Sequence, residues 1–260
     1  MLANATAAVL VAVALAGCAS RDKTTTGSTE RGYASRPVEQ LSAAELSSEV
    51  DTLGRAYTRD TKNKAVAMRY AAVLQMNGRN EQSLAVMRKL AIDLPKDREV
   101  LASYGKSLAA AGELQPALEA IRRAQTPEYP DWRLVSAEAA ILDQLGDTAS
   151  ARQLYRRAID MKPGEPSVLS NLGMSYVLEG DLKQAETYMR QAAATPGADS
   201  RVRQNLALVV GLQGRFKEAE DIARQELSPQ QAEANVTYLR SMLSQQNAWK
   251  QLEREERNTN

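Results

Sequence analysis

From residue 64 onward, apolar and small residues return every 34 positions. Windows beginning at Lys64, Arg98, Trp132, Pro166 and Ser200 align five copies of one pattern. The fifteenth position reads Gly78, Gly112, Gly146, Gly180 and Gly214. The eighth reads Ala71, Gly105, Ala139, Gly173 and Ala207, and the twentieth Ser83, Ala117, Ala151, Ala185 and Ala219. The eleventh reads Leu74, Leu108, Leu142, Tyr176 and Val210, and the twenty-fourth Met87, Ile121, Tyr155, Met189 and Ala223. Each column has a mechanical reading. Small residues at positions eight and twenty suit the crossing of two antiparallel helices, which larger side chains would push apart. Glycine at position fifteen ends the first helix, where a left-handed residue is least strained without a Cβ. Positions eleven and twenty-four fill the space between hairpins. Pro95 and Pro163 mark repeat boundaries, where a helix must stop. Pro196 falls one position early, and the Pro127–Pro130 segment replaces the boundary in the second repeat.

This pattern resembles the tetratricopeptide repeat. The match is closest in Ser170-Asn171-Leu172-Gly173-Met174-Ser175-Tyr176, followed by Gly180-Asp181 and Ala185. The resemblance implies an all-α, right-handed superhelix, an α-solenoid of five repeats over residues 64–233 with about twelve helices in all. Residues 41–63 are expected to hold a lone second helix that caps the front. Residues 234–260 are expected to hold a first helix without its partner, from Asn235 to about Leu252, with Trp249 sealing the end and a frayed tail after it.

In that family the concave wall is lined by first helices, at positions two, five, nine, twelve and thirteen. Transferred here, the first repeat offers Met68, Ala72, Gln75 and Met76, and the second Glu99, Lys106 and Ala109. The third offers Arg133, Ser136, Asp143 and Gln144. The fourth offers Ser170, Met174, Val177 and Leu178, and the fifth Gln204, Leu208, Gly211 and Leu212. The middle of this wall is polar and its C-terminal third apolar, which suits docking of a helix or extended peptide. Two questions stay open at this point. Leu208 and Leu212 either face an open groove or are core beneath the C-terminal helix. Asn171 and Asn205, at position six, either bond a ligand backbone or are ordinary polar groups of the helix surface. The Lys/Asn clamp by which one branch of the family grips a C-terminal carboxylate is missing. Its positions hold Met68/Ala72, Ala102/Lys106, Ser136/Ala140 and Ser170/Met174.

Composition narrows the chemistry. Lys+Arg is 33 and Asp+Glu is 32, so the net charge of +1 argues against nucleic-acid binding by bulk electrostatics. Histidine is absent, which removes the commonest general base and metal ligand. One cysteine forms neither an intrachain disulfide nor a cysteine zinc site. No phosphate loop or nucleophile set is present, so neither catalysis nor a cofactor nor a metal is expected.

The single cysteine has its own context. Residues 1–17 carry no charged side chain and form an apolar, small-residue run too short to span a membrane. They read as a signal peptide ending in Leu15-Ala16-Gly17-Cys18. That ending resembles the bacterial lipobox, which implies lipidation of the Cys18 thiol and cleavage before it. Ala19 in place of an aspartate implies onward transport to the outer membrane. Residues 18–40 are polar, with Thr24-Thr25-Thr26-Gly27-Ser28-Thr29, and read as a tether. Such a chain places the folded part on the order of 25 Å from the bilayer.

A narrower resemblance lies in residues 172–182 and 203–214 (Arg203-Gln204-Asn205-Leu206-Ala207-Leu208 and onward), with Ala234-Asn235-Val236-Thr237-Tyr238-Leu239-Arg240 and Arg69-Tyr70-Ala71. These segments are similar to the Flp pilus assembly lipoproteins, the D components of the bacterial tight-adherence (Tad) system. The resemblance implies a non-catalytic, pilotin-like scaffold on the periplasmic face of the outer membrane. Its partner would be the outer-membrane secretin or another pilus assembly component. The alternative is an envelope lipoprotein of the same architecture that serves β-barrel assembly or recruits cell-wall enzymes.

Overall fold

A computed structural model describes residues 36–126, 128 and 130–259, with side chains described to residue 245 save that of Glu39. The leader, Cys18, most of the tether and the Trp249 side chain lie outside what is described. Twelve α-helices and no strand occur among the described residues. They form two compact units, one ending at Ala124 and one beginning at Gln125.

In the first unit a 3₁₀ turn, Val38–Gln40, precedes α1 (Ala43–Arg59). Two hairpins follow, α2 (Lys64–Met76) with α3 (Asn80–Asp93), and α4 (Arg98–Ala110) with α5 (Leu114–Ala124). Ser42 and Glu45 start α1 as a reciprocal capping box. The apolar face of α1, Leu46, Val50 and Leu53, packs with Ala67, Ala71, Leu74, Met87 and Leu90. Its other face is polar, so α1 closes the front of the first unit.

The second unit holds α6 (Trp132–Gln144), α7 (Thr148–Met161), α8 (Pro166–Glu179), α9 (Leu182–Ala194), α10 (Ser200–Leu212), α11 (Phe216–Ala223) and α12 (Pro229–Thr259). Each helix packs on the next, and α6 also touches α8, α8 touches α10, and α10 touches α12. Contact with both the next helix and the next but one is the signature of serially stacked hairpins.

The hairpin turn is built the same way five times. Gly78, Gly112, Gly146, Gly180 and Gly214 have φ of 74°, 80°, 88°, 88° and 81°. The following amide then returns to the carbonyl five residues back, as in Arg79 N to Leu74 O at 2.8 Å and Asp181 N to Tyr176 O at 3.0 Å. This is the Schellman closure, which satisfies the last carbonyls of the first helix. The helix starts are repeated too. Asn63, Asp97, Asp131 and Asp199 each accept from an amide of the first turn, and Glu165 precedes Pro166 at the first helical position.

Small residues hold the two helices of a hairpin close. A Cβ at Gly105 would sit 2.8 Å from Ile121 Cγ1, and one at Gly173 would sit 3.1 Å from the Ala185 carbonyl oxygen. Ala117, Ala151, Ala185 and Ala219 are all buried.

The end of the second unit departs from the expected register. The last long helix begins at Pro229, not at Asn235, and runs on past Leu252 to Thr259. Ser228 and Gln231 form a second reciprocal capping box: Gln231 N donates to Ser228 Oγ at 3.3 Å and Ser228 N to Gln231 Oε1 at 3.1 Å. Proline at the first helical position completes the start. This early start leaves α11 only 8 residues long.

Candidate partner-binding wall

In the second unit the first helices α6, α8 and α10 lie side by side, so residues at one repeat position form a row across them. The rows differ in what they spend their side chains on. At positions five and six the side chains bond one another. Asn171 Nδ2 donates to Ser136 Oγ at 3.4 Å, and Asn205 Nδ2 donates to Ser170 Oγ at 3.2 Å. The same rung therefore joins α8 to α6 and α10 to α8. These amides tie the helices together, which accounts for both asparagines without a ligand. Ser136 and Ser170 are buried under the rungs.

Position twelve is also occupied from within. In the third repeat it is Asp143, which accepts from Ser175 Oγ at 2.8 Å. In the fourth it is Val177, which with Met174 packs against Leu206, Val209, Val210 and Val236. In the fifth it is Gly211, and a Cβ there would sit 2.5 Å from Leu239 Cδ2 of α12. Thus α12 rests on α10 at Gly211. Met174 and Val177 serve the core as much as the surface.

What remains open is a narrow apolar strip. Leu178 is 48% exposed, while Met174, Leu208 and Leu212 are half-buried. Met174 and Leu208 share position nine, and Leu178 and Leu212 share position thirteen. Four residues along a helix advance about 6 Å and neighbouring helices lie about 8–10 Å apart. The strip is therefore two residues long and two helices wide. Gln204 is exposed and donates to Ser200 Oγ at 2.9 Å. In the first unit Met76, also at position thirteen, is 46% exposed, while Met68 and Ala72 pack on the core.

Charges around the wall are paired on the outer helices. Glu186 of α9 takes Arg190 at 2.7 Å and also pairs with Arg215, and Gln213 Nε2 donates to it at 2.8 Å. The Arg215 guanidinium, first of these partners, holds the Glu186 carboxyl down to about 2. The twenty-fifth position is a further column, Arg88, Arg122, Arg156, Arg190 and Arg224. Arg88 reaches Glu113 at 2.8 Å, Arg156 reaches Tyr176 Oη at 3.0 Å, and Arg190 pairs with Glu218. Three of these arginines clasp the following hairpin from its outer side. A fivefold invariant arginine in the aligned windows is the signal that would have found them.

Arg152, Tyr155 and Ser175, which stand in three different repeat columns, form a further polar group. They gather around Asp143 inside the second unit. Burial drives the Asp143 carboxyl up to about 6, and burial pushes the Tyr155 hydroxyl well above its ordinary range. No cluster of His, Cys, Asp and Glu among the described residues could hold a metal ion, and no described helix is long and apolar enough to cross a membrane.

Comparison with known proteins places the fold. A tetratricopeptide-repeat family model matches residues 144–209. A tetratricopeptide repeat protein from Parabacteroides merdae superposes with a TM-score of 0.66 at 14% identity, over 75% of this chain and 78% of that one. A thermophilic TPR protein of Thermus thermophilus gives 0.58 at 22% identity, over 66% and 96%. The pilF protein of Pseudomonas aeruginosa gives 0.51 at 18% identity, over 70% and 81%. No curated protein matches the chain. The stacked hairpins thus have a tetratricopeptide-repeat fold.

Proposed function

We propose that this tetratricopeptide-repeat chain is a non-catalytic outer-membrane lipoprotein that helps assemble a Flp/Tad pilus machine. Lipid on Cys18 holds it at the periplasmic face, and the wall of α8 and α10 grips an apolar segment of the secretin or of another pilus component. The observation that carries the reading is the strip of Met174, Leu178, Leu208 and Leu212. It lies in the segments whose residues resemble the pilus lipoproteins, and its polar neighbours are already bonded within the chain. An apolar strip with satisfied surroundings selects a partner by burial of side chains, without a charged anchor.

The physical logic needs no bond to be made or broken. A cluster of acyl chains gives stable anchoring where one chain does not. The tether gives reach, and confinement to one membrane raises the effective concentration of a partner in that membrane.

Two variants test the reading. Cys18→Ser is expected to fold normally and to move from the membrane fraction to the soluble periplasm. Full retention in the outer membrane overturns the anchor. Leu178→Asp combined with Leu212→Asp places two charges on the strip without entering the core at Leu206 or Val209. Each buried apolar contact is worth about 1.5–3 kcal/mol, so capture of secretin from solubilised envelopes should fall at least tenfold. A folded double variant that still captures secretin and supports piliation removes the strip from consideration.

A further inference from the structure

Asp143 stands out as a carboxylate in a position built for a neutral group. The other residues at its repeat position are Gln75, Ala109, Val177 and Gly211. Its carboxyl lies between three helices, and its immediate bonding partners are hydroxyls. Ser175 of α8, fully buried, donates to Oδ1 at 2.8 Å. Tyr155 of α7, also buried, donates its hydroxyl to the same carboxyl. The ionisable groups that face it are both on α7, Tyr155 and Arg152.

Arg152 acts on Asp143 through space only. Its Nη2 is committed to Glu179 of α8 at 3.0 Å, and its guanidinium lies 5.2 Å from the centre of the Tyr176 ring. Its Nη1 is buried without a hydrogen-bond partner. The cation that would neutralise Asp143 is therefore held elsewhere. A second cost comes from the backbone. Asp143 sits in the last turn of α6, where unsatisfied carbonyls already present negative partial charge. A charge at this place has lost part of its water, meets the wrong end of a helix dipole and has no ion pair.

We propose that Asp143 is a proton-operated latch between the third and fourth hairpins: neutral, it holds α8 on α6, and ionised, it lets α8 open from α6. The neutral carboxyl still accepts from Ser175 and Tyr155 and has no charge to desolvate. The ionised carboxylate recovers its hydration when the α6–α8 seam opens. Opening is then favoured by every step that removes the proton.

The sign follows from linkage. A carboxyl raised to about 6 in the folded chain, against an ordinary value near 4, binds its proton more tightly folded than open. The contribution to closure is complete below about pH 4, is lost between about pH 4 and 6, and does not change further above that window. Acidification firms the seam, whereas acid loosens most carboxylate contacts. The latch is a property of the free chain and does not depend on which partner the strip takes.

The test is hydrogen exchange on the full chain, with rates corrected for the intrinsic effect of pH. In the wild type, protection of α8 amides is expected to fall about tenfold between pH 4 and pH 6.5, less than the hundredfold of a fully buried group because part of the carboxyl meets solvent. Asp143→Asn keeps an acceptor oxygen for Ser175 and removes the charge, so its α8 protection should not vary with pH. Arg152→Gln removes the through-space attraction, so the fall should keep its onset near pH 4 and extend to higher pH. A direct reading of the wild-type carboxyl by ¹³C NMR should give a midpoint near 6. The latch is overturned if Asp143 titrates near 4, or if the pH dependence of α8 survives in Asp143→Asn.

Discussion

Gly173→Leu is expected to lower the thermal midpoint of the second unit by about 10 °C, while Gly173→Ala leaves it nearly unchanged. A Cβ at Gly173 meets Met189 Cε at 3.0 Å and the Ala185 carbonyl oxygen at 3.1 Å. A single methyl asks Met189 and the Ala185 carbonyl to give by only a few tenths of an ångström, and the gain of about 1 kcal/mol in helix propensity offsets that adjustment. A leucine must drive α9 away from α8, because Met189 is wholly buried and has no free space to enter. Overpacking of this kind costs about 3 kcal/mol, and each kcal/mol moves the midpoint of a domain of this size by about 3–4 °C. Gly180 provides the contrast. A Cβ there meets nothing within 4 Å, yet its φ of 88° is left-handed. Gly180→Ala should therefore cost about 1–2 kcal/mol through strain alone. Calorimetry of the three variants separates the roles. A Gly173→Leu protein with the wild-type midpoint would mean that α8 and α9 do not meet at this crossing.

These two glycines show how much of the architecture can be read from the chain. A column of glycine at one repeat position and a column of small residues at two others are sterically forced, so their meaning survives without coordinates. Periodicity also determines where the first helices begin. Each starts at the first position of its window, four because an Asn or Asp side chain caps it and α8 because Pro166 stands at its first position. The candidate site was less legible. Asn171 and Ser136 are 35 residues apart, and the spacing alone does not say whether an amide on a helix surface faces a ligand or the serine of its neighbour. The polar knot at Asp143 joins three helices and breaks the column pattern where it occurs, so no period announces it. Leu208 and Leu212 illustrate a third limit. They stand on α10, on which α12 rests at Gly211, and the repeat period does not give the start of α12. Ser228-Pro229-Gln230-Gln231 is a local start signal that overrides the period, and it was present in the sequence.

That start signal leads to the second large effect. A chain ending at Ser228 is expected to lose the order of α10 and α11 while α6 and α7 stay folded. With only 8 residues, α11 is too short to persist without tertiary support. Its support is α12, which buries Ala232 against Ala207 and Ala223, Val236 against the Leu206–Val210 cluster, and Leu239 over Gly211. Removing those contacts exposes Val209, Val210 and Ala219 and costs about 5 kcal/mol of apolar burial. In a stack each hairpin depends on its neighbours, so the loss is local to the end of the array. Limited proteolysis should cut the truncated chain in 213–228 while leaving 132–161 intact, and an apolar dye should bind where the intact chain does not bind it. Leu239→Asp should reproduce the same cleavage in the full-length chain, since a charge over Gly211 cannot be buried there without a partner. If the truncated chain instead keeps the wild-type unfolding midpoint and resists cleavage, α12 is an appendage. Leu208 and Leu212 would then owe their partial burial to α8 and α10 alone, and the strip would be as open in the full chain as in the shortened one.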